Sequence, residues 1–171
     1  MENIRYFKPE QLKEITANRR QEFISLFKQL KKKKPKDLDV TVQALHNDAF
    51  GQFDCLNCAN CCSTISPIVT EKDIERLARH LRIKPSEFIG QYLMIDEDSD
   101  YVFKETPCPF LLPDNHCMVY AHRPKACREY PHTDRRRFHQ ILQLTHKNCE
   151  VCPVVFKITE ELSEKYGSTK K

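Results

Sequence analysis

Four cysteines stand within eight residues, as Cys55-x-x-Cys58-x-x-Cys61-Cys62, and this spacing constrains the chain more than any other feature. A two-residue gap lets successive sulfurs turn toward one centre while the intervening N–H groups point at the thiolates. Tetrahedral zinc is held by such pairs together with a second pair elsewhere. Iron–sulfur clusters use C-x2-C-x2-C plus a remote fourth cysteine. Remote partners are present as Cys108, Cys117, Cys127, Cys149 and Cys152, the last two again separated by two residues. Adjacent Cys61 and Cys62 diverge in most backbone conformations and are not expected to bind the same single metal. The expected arrangement is one centre on the CxxCxxC loop completed by a later cysteine. A second centre uses leftover cysteines, with Cys62 serving it or no site at all. Zinc and an iron–sulfur cluster (iron) are both open, because thiolate suits both and geometry separates them.

Composition supports metal over disulfides. All nine cysteines lie between Cys55 and Cys152, and an odd number cannot pair completely within one chain. The first residues, Met1-Glu2-Asn3-Ile4-Arg5-Tyr6-Phe7-Lys8, lack a signal-peptide apolar core, and no 18-residue apolar run occurs. A cytoplasmic chain with reduced thiols and no membrane span is therefore expected. The hydrophobic share of 40% includes the nine cysteines, so apolar area is thin and metal cross-links are expected to supplement it. The three glycines, Gly51, Gly90 and Gly167, are isolated, which excludes the P-loop and the dinucleotide fingerprint.

The formal charge of +4 treats every thiol as neutral. One four-cysteine site holding zinc or a [4Fe–4S] centre lowers it to about +2, and two bring it to about zero. That weighs against nucleic acid as a partner. Lys31 to Lys34 and Arg135 to Arg137 read as solvated helix ends, and Phe138 alone supplies an adjacent aromatic. His116, His122 and His132 lie near cysteines and keep a mixed Cys/His site open. The acidic run Asp96 to Asp100 lacks the calcium-loop pattern.

The expected fold is mainly α with a small β-ribbon (α+β), a compact metal-stapled domain with an N-terminal helical extension. Residues 1–50 form that extension, 51–153 the metal-binding domain, and 154–171 a C-terminal helix with a disordered tail. Leu12, Ile15, Phe23, Leu26, Phe27 and Leu30 recur at helical spacing from near Pro9 to the lysine run, and a second helix spans about 36–49. Thr70 is expected to cap a helix with Ile74, Leu77, Ala78 and Leu81 on its apolar face. A short helix runs from Lys84 to about Leu93, another turn from Arg123 to Tyr130, and longer helices over 135–146 and 153–166. Strands are expected at 101–104, 110–112 and 118–120, with a turn at 113–116.

Five segments carry a resemblance to a known family. They are Cys55 to Cys62, Ser66 to Ile74, Cys108-Pro109-Phe110-Leu111, Cys117-Met118-Val119-Tyr120, and Arg123-Pro124-Lys125-Ala126-Cys127-Arg128-Glu129-Tyr130-Pro131. In this order and spacing, over about 50–153, the chain resembles the CxxCxxCC cysteine-cluster (YkgJ-like) family, described as chelating zinc or iron. The resemblance implies metal binding and names no substrate. Some relatives are flagellin lysine N-methylases, longer proteins that look to carry this module. Three function classes follow: a metal-binding structural or carrier module; an iron- or iron–sulfur-dependent protein-modifying enzyme related to those methylases; and a zinc-module nucleic-acid-binding protein. Whether the chain is an enzyme is left open. Arg123 and Arg128 flank Cys127 and are suited to offset thiolate charge.

Overall fold

The computed structural model describes residues 7–167. The fold is mainly helical with one small antiparallel ribbon, as expected. In chain order the helices are α1 (Pro9–Asn18), α2 (Arg20–Lys33), α3 (Leu38–Gln52), α4 (Asn60–Thr64), α5 (Glu71–Leu81), α6 (Pro85–Tyr92), α7 (Lys125–Glu129), α8 (Leu142–Cys149) and α9 (Pro153–Tyr166). The strands are β1 (Leu93–Ile95) and β2 (Tyr101–Phe103). The chain divides into two compact units. One joins the residues up to Asp54 with those from Pro131 onward; the other is Cys55–Tyr130. The stretch 131–153 thus groups with the N-terminal helices.

In the first unit α9 is the central element. Val154, Val155, Phe156, Ile158 and Leu162 are all buried, and α1, α2, α3 and α8 pack around them. Phe156 meets Phe23 edge-on at 5.5 Å. Fully burying each such side chain contributes roughly 1.5–3 kcal/mol. The helical spacing from Pro9 to the lysine run predicts one helix, but the structure breaks it at Arg19 (φ −99°, ψ 9°). From that joint the guanidinium reaches both Glu22 and Glu160. At the other end of α2, Lys34 adopts a left-handed conformation (φ 44°) and donates its N–H to the Leu30 carbonyl. Lys31, Lys32 and Lys33 in the last turn face the negative end of the helix dipole.

The helix expected over 135–146 is a shorter arrangement. Arg137 is left-handed (φ 58°), a 3-10 turn follows at Phe138–Gln140, and α8 begins only at Leu142. The Asp39 carboxylate accepts the Arg137 and Phe138 N–H groups, at 2.7 and 3.0 Å, and so starts that turn from another helix.

The second unit has its own core of Val69, Ile74, Leu77, Ala78, Phe88, Leu93, Phe103, Phe110 and Val119. Phe110 lies parallel to Phe88 at 6.4 Å and edge-on to Phe103 at 5.7 Å. Thr70 caps α5 as expected, with its hydroxyl accepting the Asp73 N–H in a capping box. Helix α6 stops at Tyr92, and Leu93, read from sequence as the helix end, instead begins β1. The register is Leu93↔Phe103, Met94↔Val102 and Ile95↔Tyr101. The strands expected at 110–112 and 118–120 are replaced by one isolated bridge, Leu111↔Cys117, with the Met118 N–H donating to the Phe110 carbonyl, and Tyr120 begins a 3-10 turn. Between them Asn115 (φ 67°) turns the chain as expected. Among the described residues no helix is long and apolar enough to cross a membrane.

Candidate metal centre

The cysteine-rich loop is built by local backbone bonds. Cys55–Asn57 forms a 3-10 turn, and the Cys55 carbonyl accepts the Cys58 and Ala59 N–H groups at 3.1 and 2.8 Å. Ala59 is left-handed (φ 45°) and reverses the chain into α4, which carries Cys61 and Cys62. The Asn115 side-chain amide donates to the Leu56 carbonyl at 2.7 Å and ties this loop to the 113–116 turn. Cys55 is exposed, whereas Cys58 and Cys61 are half-buried.

Three later cysteines lie within electrostatic reach of Cys62, each on a separate segment. The Cys108 N–H donates to the Cys62 carbonyl at 2.9 Å. Cys117 faces Leu111 across the bridge, and the Met118 N–H donates to the Phe110 carbonyl at 2.9 Å. Cys127 is presented by α7. Cys62, Cys108, Cys117 and Cys127 carry half-buried free thiols.

Their charges act on one another. Burial, then the negative charge of Cys108, Cys62 and Cys117, pushes the Cys127 thiol up to about 12, against the pull of Arg123. Cys108 is raised first by burial and then by Cys117 and Cys62, while the Phe110 and Leu111 N–H groups donate toward its sulfur. Cys117 is raised by burial and by Cys62, and lowered by the Val119 N–H and by Arg123. Cys62 moves the other way, to about 7, chiefly through a hydrogen bond from Cys61, with Arg123 assisting against burial. The Cys61 and Cys62 sulfurs lie 4.0 Å apart.

This donor set fits a thiophilic metal. Four sulfurs within electrostatic reach, backbone N–H groups directed at two of them and one guanidinium are what a thiolate centre uses. Among the described residues, no three Cys, His, Asp or Glu side chains are drawn in to metal-holding distances. Arg123 acts on three of the sulfurs. Its guanidinium lies 3.8 Å over the Tyr120 ring and donates to the Tyr120 carbonyl at 2.8 Å. Two of the three imidazoles near the cysteines have other partners: His116 pairs with Asp114 at 3.3 Å, and His122 stacks on His80 at 4.1 Å. Asp96 accepts the Asp98 and Asp100 N–H groups, closing the acidic turn on itself.

Cys149 and Cys152 belong to the helical unit. Cys149 is wholly buried, its sulfur 3.2 Å from the Thr159 hydroxyl, and burial pushes its thiol up to about 12. Its carbonyl accepts the Thr16 hydroxyl at 3.2 Å. Cys152 precedes the first residue of α9, and its negative charge further raises Cys149.

Sequence reasoning missed two residues that hold this region together, Asp73 and Arg76. Asp73 is 1% exposed, yet its carboxylate is fully engaged. Oδ2 accepts the Thr70 N–H and hydroxyl at 3.1 and 2.6 Å; Oδ1 accepts Arg76 at 2.5 Å and the Lys125 N–H at 3.1 Å. The capping-box pattern Thr70-x-x-Asp73 was the visible signal, but it disclosed only the helix start.

A comparison with curated proteins finds a similar stretch in Uncharacterized protein MJ0661 of Methanocaldococcus jannaschii. The two are 31% identical over 84 residues, 47% of this chain and 45% of the relative. The chain therefore spans less than half of that relative's length. No solved structure matches. The profile of the CxxCxxCC family, described as "Putative zinc- or iron-chelating domain", matches residues 54–153. That match covers more than half of the sequence and contains the whole cysteine loop together with Cys108, Cys117 and Cys127, so the chain belongs to the CxxCxxCC family of zinc- or iron-chelating domains.

Proposed function

We propose that the chain is a metal-binding module whose main centre is held by Cys62, Cys108, Cys117 and Cys127. The observation that carries this reading is the mutual action of these four sulfurs, with Arg123 alongside. It differs from the arrangement expected from spacing, which centred on CxxCxxC completed by a later cysteine and gave Cys62 to a second centre or to none. When bound, zinc or an iron–sulfur cluster supplies a cross-link among thiolates. The chain's own residues do the rest. The Phe110, Leu111 and Val119 N–H groups stabilise thiolates at Cys108 and Cys117, and Arg123 offsets negative charge at Cys62, Cys117 and Cys127.

Cys55, Cys58 and Cys61 keep the spacing of a further centre on the same loop, and Cys55 gives it a solvent-exposed side. We read Cys149, buried against the Thr159 hydroxyl, as a residue of the helical core and not as a ligand of this centre. The module is read as structural or as a carrier, in the cytoplasm.

Anaerobic purification followed by metal and sulfide analysis and a visible spectrum tests the reading. Stoichiometric zinc without colour assigns a zinc site; iron with acid-labile sulfide and charge-transfer bands assigns a cluster. A folded protein with no metal and all thiols titratable overturns the proposal. Binding of an exogenous ligand such as azide to the loaded metal would move the reading toward catalysis, because a closed thiolate shell has no position to offer.

A further inference from the structure

We propose that Asp73 and Arg76 on α5 are positioning residues for the metal centre: through backbone bonds alone they hold the segment that delivers Cys127 and the Arg123 charge. The inference rests on the four-thiolate reading above.

Arg76 donates from Nε to the His122 carbonyl at 3.2 Å and from Nη2 to the Arg123 carbonyl at 3.0 Å. The same guanidinium is paired with Asp73, whose Oδ1 also accepts the Lys125 N–H. One carboxylate–guanidinium pair therefore holds three backbone groups, at residues 122, 123 and 125. Those residues are the approach to α7, and Cys127 follows two positions after Lys125. The direction of the Cys127 sulfur is set by how α7 starts, and α7 starts on Asp73.

Arg123 is fixed by the same bonds. Its side chain rests on the Tyr120 ring and carbonyl, while its own carbonyl is held by Arg76. Backbone and side chain are thus tied to different elements, so the guanidinium has one place beside the sulfurs. A helix start alone would not require this. Capping of α5 uses Oδ2 and the Thr70 groups, whereas Oδ1 is committed to Arg76 and Lys125. Asp73 is nearly water-free, so these bonds do not compete with solvent.

Positions supporting metal ligands typically contribute 10–100-fold in affinity. The test uses the full chain loaded with Co(II), whose thiolate charge-transfer bands report the ligand set. R76K keeps the Asp73 partner but cannot reach both carbonyls; R76Q loses the charge as well. Affinity for Co(II) is expected to fall about 10-fold in R76K and toward 100-fold in R76Q. The bands should shift or weaken while far-UV circular dichroism stays that of the parent. If R76Q does not fold, R76K decides alone. Parental affinity and parental bands in folded R76K overturn the inference. C127S separates the four-thiolate centre from the positioning role. If C127S binds Co(II) as the parent does, the four-thiolate reading fails; if C127S loses the metal and R76K does not weaken it, only the positioning role fails.

Discussion

Metal affinity should rise steeply with pH, because the protein must surrender protons to bind. Cys127, with its thiol near 12, is protonated at neutral pH in the metal-free chain, and Cys108 and Cys117 lie above the ordinary thiol range. Cys62, near 7, is about half ionised. Bound thiolates carry no proton, so binding at pH 7 releases three protons from the first group and about half a proton from Cys62. The metal-free state holds the extra protons, so raising the pH favours the loaded state. Between pH 7 and 8 the association constant should climb by about three decades, or ~4 kcal/mol at 1.36 kcal/mol per unit. Burial opposes the ionisation of Cys127 most strongly, and the metal–sulfur bond must offset that cost. Below pH 7 the slope should steepen as Cys62 also becomes protonated. Competition titrations of Zn(II) against a chromophoric chelator at several pH values, corrected for the chelator's own protonation, measure the slope. A change of tenfold or less per pH unit would refute the buried four-thiolate arrangement, because it requires thiols already ionised or fewer of them at the metal.

Other outcomes follow from the same geometry. Cys149→Ala should lower stability by about 1 kcal/mol and leave metal content untouched, as read by thermal unfolding and metal analysis; loss of metal would make Cys149 a ligand. Phe110→Ala removes a ring packed among Phe88, Tyr92 and Phe103 and next to the Cys108 turn. It should cost about 3–5 kcal/mol in chemical denaturation and weaken metal binding with it. Arg123→Gln removes the cation beside the sulfurs and should weaken metal binding about 10-fold, with Arg123→Lys recovering part of the loss; equal affinity in all three proteins would deny the guanidinium an electrostatic role.

Local chemistry was readable in the sequence and long-range grouping was not. The α5 start was visible because Thr70, Asp73 and the Ile74/Leu77/Ala78 face lie within one or two helical turns. The Asn115 turn was visible for the same reason. The bridge partner of β2 was not, since Leu93-Met94-Ile95 is too short to show a period and follows directly on α6. The helix expected over 135–146 begins only at Leu142, because Asp39, far away in sequence, captures the N–H groups of Arg137 and Phe138. The nine cysteines announced metal chemistry by spacing. Spacing favoured Cys55, Cys58 and Cys61 as the centre, whereas Cys62 meets Cys108, Cys117 and Cys127 only through tertiary bonds such as Cys108 N–H to the Cys62 carbonyl. Asp73 looked like a cap because half of its carboxylate is one; its other oxygen acts on residue 125.

Cys62, Cys108, Cys117 and Cys127 should suffice for a metal site. Metal K-edge X-ray absorption on a variant with Cys55, Cys58 and Cys61 all changed to Ser tests it directly. Loaded with Zn(II), that variant should hold one equivalent of zinc in an all-sulfur shell at about 2.3 Å. A folded variant with no metal, or a shell containing nitrogen or oxygen, would contradict it.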